Sequence, residues 1–168
     1  MNRPDITGIA PFFIVRNVSA ALSFYRDRLG FDITFQGPDP DDIFFGIVER
    51  GRAMIMFKDV GVDPVPNSTR DTKQGIARWD AYLHVPDPDA LAAEFVSRDV
   101  ELSVPPKDTD DGLRGFELKD ADGYVLFFGR PRLSTRTTHE KQQNRSRPAV
   151  EAQRSWPVRQ PTSPRSRR

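Results

Sequence analysis

Asp120-Ala121-Asp122-Gly123-Tyr124-Val125-Leu126-Phe127-Phe128 is a turn running into a covered strand. The aspartates favour the start of a turn, and Gly123 supplies the positive φ that a tight hairpin needs. Five apolar or aromatic residues then follow without a polar break, which suits a strand buried on both faces. Working upstream, Arg114 to Leu118 is its hairpin partner, Pro105 to Asp111 a loop, and Val100 to Val104 another strand. Asp87-Pro88-Asp89 opens a helix with a capping carboxylate, a proline at the first helical position and acidic charge at the positive end of the dipole. Leu91, Phe95 and the alanines between them form its apolar stripe. Trp79 to Val85 is the strand before it. The order is strand, helix, three strands.

The first half repeats that order. Ile9 to Val15 is a β-branched and aromatic strand. Asn17 caps a helix whose stripe is Ala21, Leu22, Tyr25 and Leu29, and Gly30 ends it. Phe31 to Phe35 is a strand, Gly37 to Asp42 a loop, and Ile43 to Val48 and Ala53 to Phe57 a hairpin around Arg50-Gly51. Val15 matches Val85, Asn17 matches Asp87 and Tyr25 matches Phe95, so the period is about 70 residues. The expected fold class is α+β: two tandem βαβββ modules at about 8–58 and 78–130, joined by a polar, proline-bearing linker at 59–77, together one domain at 8–130.

Composition separates this domain from the C-terminal segment. Residues 1–130 hold 15 Lys+Arg against 22 Asp+Glu, whereas residues 131–168 hold 10 against 2. Residues 132–168 have four prolines, scattered arginines and no apolar period, and their composition predicts disorder. A nucleic-acid or membrane-surface arm is the sharper reading of that charge, but Trp156 is its one base-stacking aromatic, so no specific nucleic-acid partner is expected. With no cysteine, disulfides, thiolate metal sites and cysteine nucleophiles are excluded. The apolar run at Ile9 to Val15 is too short to span a bilayer, and no membrane association and a cytoplasmic protein are expected.

The first half carries Phe24-Tyr25-Arg26-Asp27-Arg28-Leu29-Gly30-Phe31 after its first strand. The second carries Gly115-Phe116-Glu117-Leu118 followed by Asp120-Ala121-Asp122-Gly123-Tyr124. With these motifs the duplicated order resembles the vicinal oxygen chelate superfamily, which includes glyoxalase I, ring-cleaving dioxygenases and bleomycin-resistance proteins. The resemblance implies that each module curves its sheet into half of a cup. Metal-dependent members place His, Glu or Gln on the first and last strand of each module, around one divalent ion. Here those positions fall on Ala10, Met56, Asp80 and Phe127. Three of the four cannot ligate a hard cation, so no metal site and no cofactor are expected. His84 and Asp80 share a strand face but lie about 13 Å apart by strand rise, too far to share an ion. His139 lies in the basic segment.

The expected cavity lining is therefore Phe12, Ile14, Met54, Met56, Asp80, Tyr82, His84 and Phe127, with Val125 on the same face. Such walls suit a flat or cationic small molecule held by stacking and one charge contact. The bland alternative is that these side chains fill a closed core. For Asp80 the alternative is an ion pair with Arg78 or Arg114. No Gly-x-Ser-x-Gly elbow, phosphate-binding loop or nucleotide fingerprint occurs, and no catalytic residue is assigned. Asp108, Asp110 and Asp111 make a solvated acidic loop rather than a calcium loop. The reading is a bleomycin-resistance-like protein that sequesters an aromatic or cationic compound, with a homodimer expected from the family's habit of pairing. Its rivals are a glyoxalase- or dioxygenase-like metal lyase of the same superfamily, a metal-free isomerase with Asp80 or His84 as base, and a module that binds partners through its basic segment.

Overall fold

The computed structural model describes residues 3–71 and 79–132. Arg78, part of the linker, His139, Trp156 and the basic segment beyond residue 132 lie outside them. Met1–Leu133 forms one compact unit. Its first module runs β1 (Phe12–Ile14), α1 (Val18–Asp27), β2 (Asp32–Asp39), β3 (Asp42–Arg50) and β4 (Ala53–Lys58). A short helix, α2 (Asn67–Arg70), lies in the linker. The second module runs β5 (Ala81–His84), α3 (Pro88–Ser97), β6 (Leu102–Asp108), β7 (Leu113–Lys119) and β8 (Val125–Pro131). Each module folds as a four-stranded sheet, in the orders β1-β4-β3-β2 and β5-β8-β7-β6. The first pair in each is parallel and the others antiparallel.

Local chemistry accounts for the helices and the hairpin. Asn17 and Asp87 accept hydrogen bonds from the N–H groups of Ala20 and Ala90, three residues into their helices. In the β7–β8 turn, Asp120 Oδ1 accepts from the N–H of Asp122 at 3.0 Å and of Tyr124 at 2.9 Å, while Gly123 takes a φ of 88°. The apolar stripes of α1 and α3 each cover one face of their own sheet. Tyr25, Phe57, Phe95, Phe116 and Phe128 are fully buried in a core that both modules share.

Several boundaries differ from the sequence-based expectation. The Gly37–Asp42 loop is mostly strand: β2 continues through Pro38 to Asp39, and β3 begins at Asp42. Likewise β6 runs through Pro105 and Pro106 to Asp108. Both are edge strands, where a residue without an N–H can point its missing donor outward, and both carry register shifts near their prolines. At the N-terminus the strand is only Phe12–Ile14, and Ile9 is 96% exposed. Asp80 precedes β5 instead of lying within it.

The modules are tied by polar and aromatic contacts at the β7–β8 turn and at the helix ends. Tyr124 stacks on Phe13 with ring centroids 4.2 Å apart and donates its hydroxyl to the carbonyl of Ile14 at 2.7 Å. Tyr25 of α1 donates to Asp120 Oδ2 at 2.9 Å. At the other end Arg50 donates to the carbonyl of Leu29 and to Glu94, which Arg98 also pairs. These contacts orient the two sheets.

Candidate functional site

Because each helix covers one side of its sheet, the opposite side is left open. Strand alternation puts Phe13, Ile55 and Phe57 in the core and their neighbours on the open face. The strand registers align one row across the first sheet, Phe12–Met56–Ile47–Phe35. The equivalent row of the second is Tyr82–Phe127–Glu117–Val104. Each residue of one row stands about 70 positions from its counterpart in the other, so the repeat in the sequence is also a repeat of surface positions.

The first face is apolar and accessible. Phe12, Phe35, Phe44 and Met54 are between 36% and 48% exposed. Phe45 has its centroid 6.0 Å from that of Phe12 and 5.7 Å from that of Phe35, which makes an aromatic platform. Ile14 and Met56 lie beside it, half-buried. Lys58 at the end of β4 places its ammonium over the Phe44 ring, 5.9 Å from the centroid.

On the second face the aromatic residues cover one another. Phe127 is only 1% exposed although it points away from the core. Its ring lies down over Gly115 and Gly129, where a Cβ on either would come within 2.4 Å of it. This explains why those two positions are glycine. Trp79 stacks on Phe127 from above, with centroids 4.1 Å apart and planes 18° from parallel. Its indole N–H donates to Glu117 Oε1 at 2.9 Å. Tyr82 meets Phe127 edge-on at 5.1 Å and stacks with the exposed ring of His84 at 4.3 Å. The Tyr82 hydroxyl is buried with no hydrogen-bond partner, and burial, with the Asp111 carboxylate nearby, pushes its pKa up.

Asp80 is engaged elsewhere. Its two carboxylate oxygens accept from the backbone N–H of Asn67 at 2.7 Å and of Val125 at 2.8 Å, which clamps the linker to the start of β8. Arg114, considered as its ionic partner, instead pairs with Asp89 and Asp108. The carboxylate on the second open face is that of Glu117. Its signal was present in the sequence as the charged member of Phe116-Glu117-Leu118, whose two apolar residues point into the core. Met54, Tyr82 and His84 line one cleft of about 980 Å³ between the β3–β4 hairpin, β5 and α3. Phe12, Ile14 and Met56 lie on the first sheet, and Phe127 is beneath Trp79.

The divalent ion of metal-dependent members does not fit these residues. In register the first and last strands pair Phe12 with Met56 and Tyr82 with Phe127. Ala10 lies ahead of β1, and Asp80 is held by two N–H groups. Among the described residues no group of three or more His, Cys, Asp or Glu side chains is placed to hold a metal. The described residues also contain no helix long and apolar enough to cross a membrane.

Among solved structures, the bleomycin-binding protein of Streptomyces verticillus, solved with copper(II)-bleomycin, shares 25% identity and a TM-score of 0.56, covering 75% of this chain and 97% of its own. TnmS3, an antibiotic-binding protein from Streptomyces sp. CB03234, shares 22% identity and a TM-score of 0.54 over 74% and 96%. Lactoylglutathione lyase from Agrobacterium tumefaciens shares 16% identity and a TM-score of 0.54 over 76% and 95%. The last two show the fold alone. No curated protein matches the chain significantly. Residues 8–128 match the model of the Glyoxalase/Bleomycin resistance protein/Dioxygenase superfamily, and with the repeated βαβββ order and paired open faces this places the chain in that superfamily.

Proposed function

We propose that this protein binds and sequesters a small aromatic or cationic organic molecule on its open sheet faces, without a metal ion, and that it does so as a homodimer in the cytoplasm. The observation that carries this is the make-up of the two equivalent rows. The rows present Phe12, Met56, Tyr82 and Phe127, groups that stack and pack but do not coordinate a hard cation. The fold shared with a bleomycin-binding protein supports the same class of ligand. Phe12, Phe35, Phe44 and Met54 form an exposed apolar patch of the kind that marks a ligand or subunit surface, which supports pairing of two copies.

A thermal-shift screen with aromatic and cationic compounds tests binding, because a ligand at 100 times its Kd stabilises the native state by about 2.7 kcal/mol. Phe45→Ala removes the centre of the first platform and should abolish a shift that originates there. Titration with nickel, zinc and manganese supplies the opposing arm. Stoichiometric metal binding at micromolar affinity or tighter, lost on Asp80→Ala, would overturn the metal-free reading. Sedimentation of the wild type and of Phe12→Ser checks pairing: a monomeric wild type refutes the dimer.

A further inference from the structure

The indole of Trp79 sits on the second face as a ligand would. Its floor is the Phe127 ring, lowered onto two glycines so that a second ring fits above it. Its wall is Tyr82, and its polar anchor is Glu117, the one charged side chain in the row Tyr82–Phe127–Glu117–Val104. The repeat-equivalent position to Glu117 is Ile47, so a carboxylate is not a requirement of the sheet at this point. Trp79 itself lies outside any strand and is tied to the face through its ring, and it is only half-buried.

We infer that this is a ligand slot occupied by the protein's own Trp79, and that its ligand is a flat fused heteroaromatic with an N–H donor on its edge. Such a molecule displaces the indole, stacks on Phe127 and donates to Glu117. Phe127 contributes the stacking area, which any flat ring satisfies, so Glu117 is the specificity-determining residue. A hydrogen bond to a charged acceptor contributes about 1.5–3 kcal/mol, which is about tenfold to a hundredfold in affinity. A ring that lacks the N–H also leaves the carboxylate without its donor. The inference rests on small-molecule binding at the open faces and names the class of ligand for one of them.

The probes are benzimidazole and 1-methylbenzimidazole, which differ in the N–H. The protein is the full chain carrying Trp156→Phe, so that Trp79 is the only tryptophan. Benzimidazole should bind at least about tenfold more tightly than its methylated form and change the Trp79 emission as the indole leaves the slot. Trp79→Ala, followed by calorimetry, should tighten benzimidazole binding, because no indole has to be displaced. Glu117→Ile should erase the preference between the two rings. If that variant does not fold, Glu117→Gln, which keeps a neutral acceptor for the indole, should narrow the preference. Equal affinity for the two rings, or a preference that survives Glu117→Ile, overturns the inference and leaves binding at the faces standing. Failure of Trp79→Ala to bind either ring overturns the slot. The proposed function fails separately, if no aromatic or cationic compound shifts the melting temperature.

Discussion

Replacing Asp120 with Asn should make the protein more stable at neutral pH relative to the wild type than it is at pH 4. Asp120 is the one buried charged residue of the described core, 8% exposed. Burial disfavours its anion, and the neighbouring Asp122 charge acts in the same direction. The hydroxyl of Tyr25 and the N–H groups of Tyr124 and Asp122 oppose them by donating to the carboxylate. Burial prevails, and the pKa rises from 3.8 to about 6. The folded protein therefore holds this proton more tightly than the unfolded chain does. Between those two values the native state binds more protons, so stability falls as pH rises. The contribution is fully present below about pH 4 and is gone above about pH 7. At ~1.4 kcal/mol for each tenfold change in proton affinity, the loss is about 3 kcal/mol.

Asn removes the titration while keeping the contacts. Its Oδ1 can accept from the N–H groups of Asp122 and Tyr124, and its amide can donate to the Tyr25 hydroxyl, which rotates to accept. Urea denaturation of both proteins at half-unit steps from pH 4 to 8, at constant ionic strength, gives the difference in unfolding free energy. That difference should move in favour of Asp120→Asn by about 2.5 kcal/mol over the range, with most of the change between pH 4.5 and 6.5. Groups common to both proteins cancel. A difference that stays flat within about 0.5 kcal/mol, or moves the other way, would refute the claim that burial outweighs the three donors.

Gly129→Ala should destabilise the protein by about 1–3 kcal/mol in thermal melts and change its tryptophan emission. The added Cβ would lie 2.4 Å from the Phe127 ring and 2.8 Å from the carbonyl oxygen of Arg114, so the ring must rise against Trp79. Asp99 ends α3 with a φ of 57°, a conformation glycine adopts without strain. Asp99→Gly should raise stability by up to about 1 kcal/mol, since the ion pair it gives up with Arg28 has an Asp99 side chain 91% exposed. Unchanged or lower stability would show that this pair outweighs the backbone term. Hydrogen bonding from Arg50 holds the Glu94 carboxyl below its ordinary pKa of 4.5. Its contribution is thus present at neutral pH and lost as pH falls through that lowered value, and Glu94→Gln should lower stability at pH 7 by about 1 kcal/mol and less at pH 3.

Much of the fold was legible because it is written in local terms. Asn17 and Asp87 announce helix starts 70 residues apart, Gly30 and Gly123 announce turns, and the apolar stripes repeat with them. The errors came where local preference yields to position in a sheet. Pro38, Pro105 and Pro106 each read as loop residues, yet they lie in β2 and β6, and nothing in the sequence says those strands are edges until the sheet is assembled.

The candidate site was less legible. Alternation assigned Phe12, Met54, Met56, Tyr82 and Phe127 to faces, but alternation does not say what else stands on the face. Trp79 and Glu117 meet there from 38 residues apart. Asp80 looked free for a ligand until the backbone N–H groups of Asn67 and Val125 were placed beside it. The sequence by itself determined the two modules, their helices and the apolar character of the open faces, because capping, turn chemistry and periodicity act over a few residues. Only the tertiary structure decided which carboxylate serves the face, which one serves the fold, and which ring covers Phe127. Those outcomes depend on hydrogen bonds and ring contacts between segments that the sequence leaves far apart.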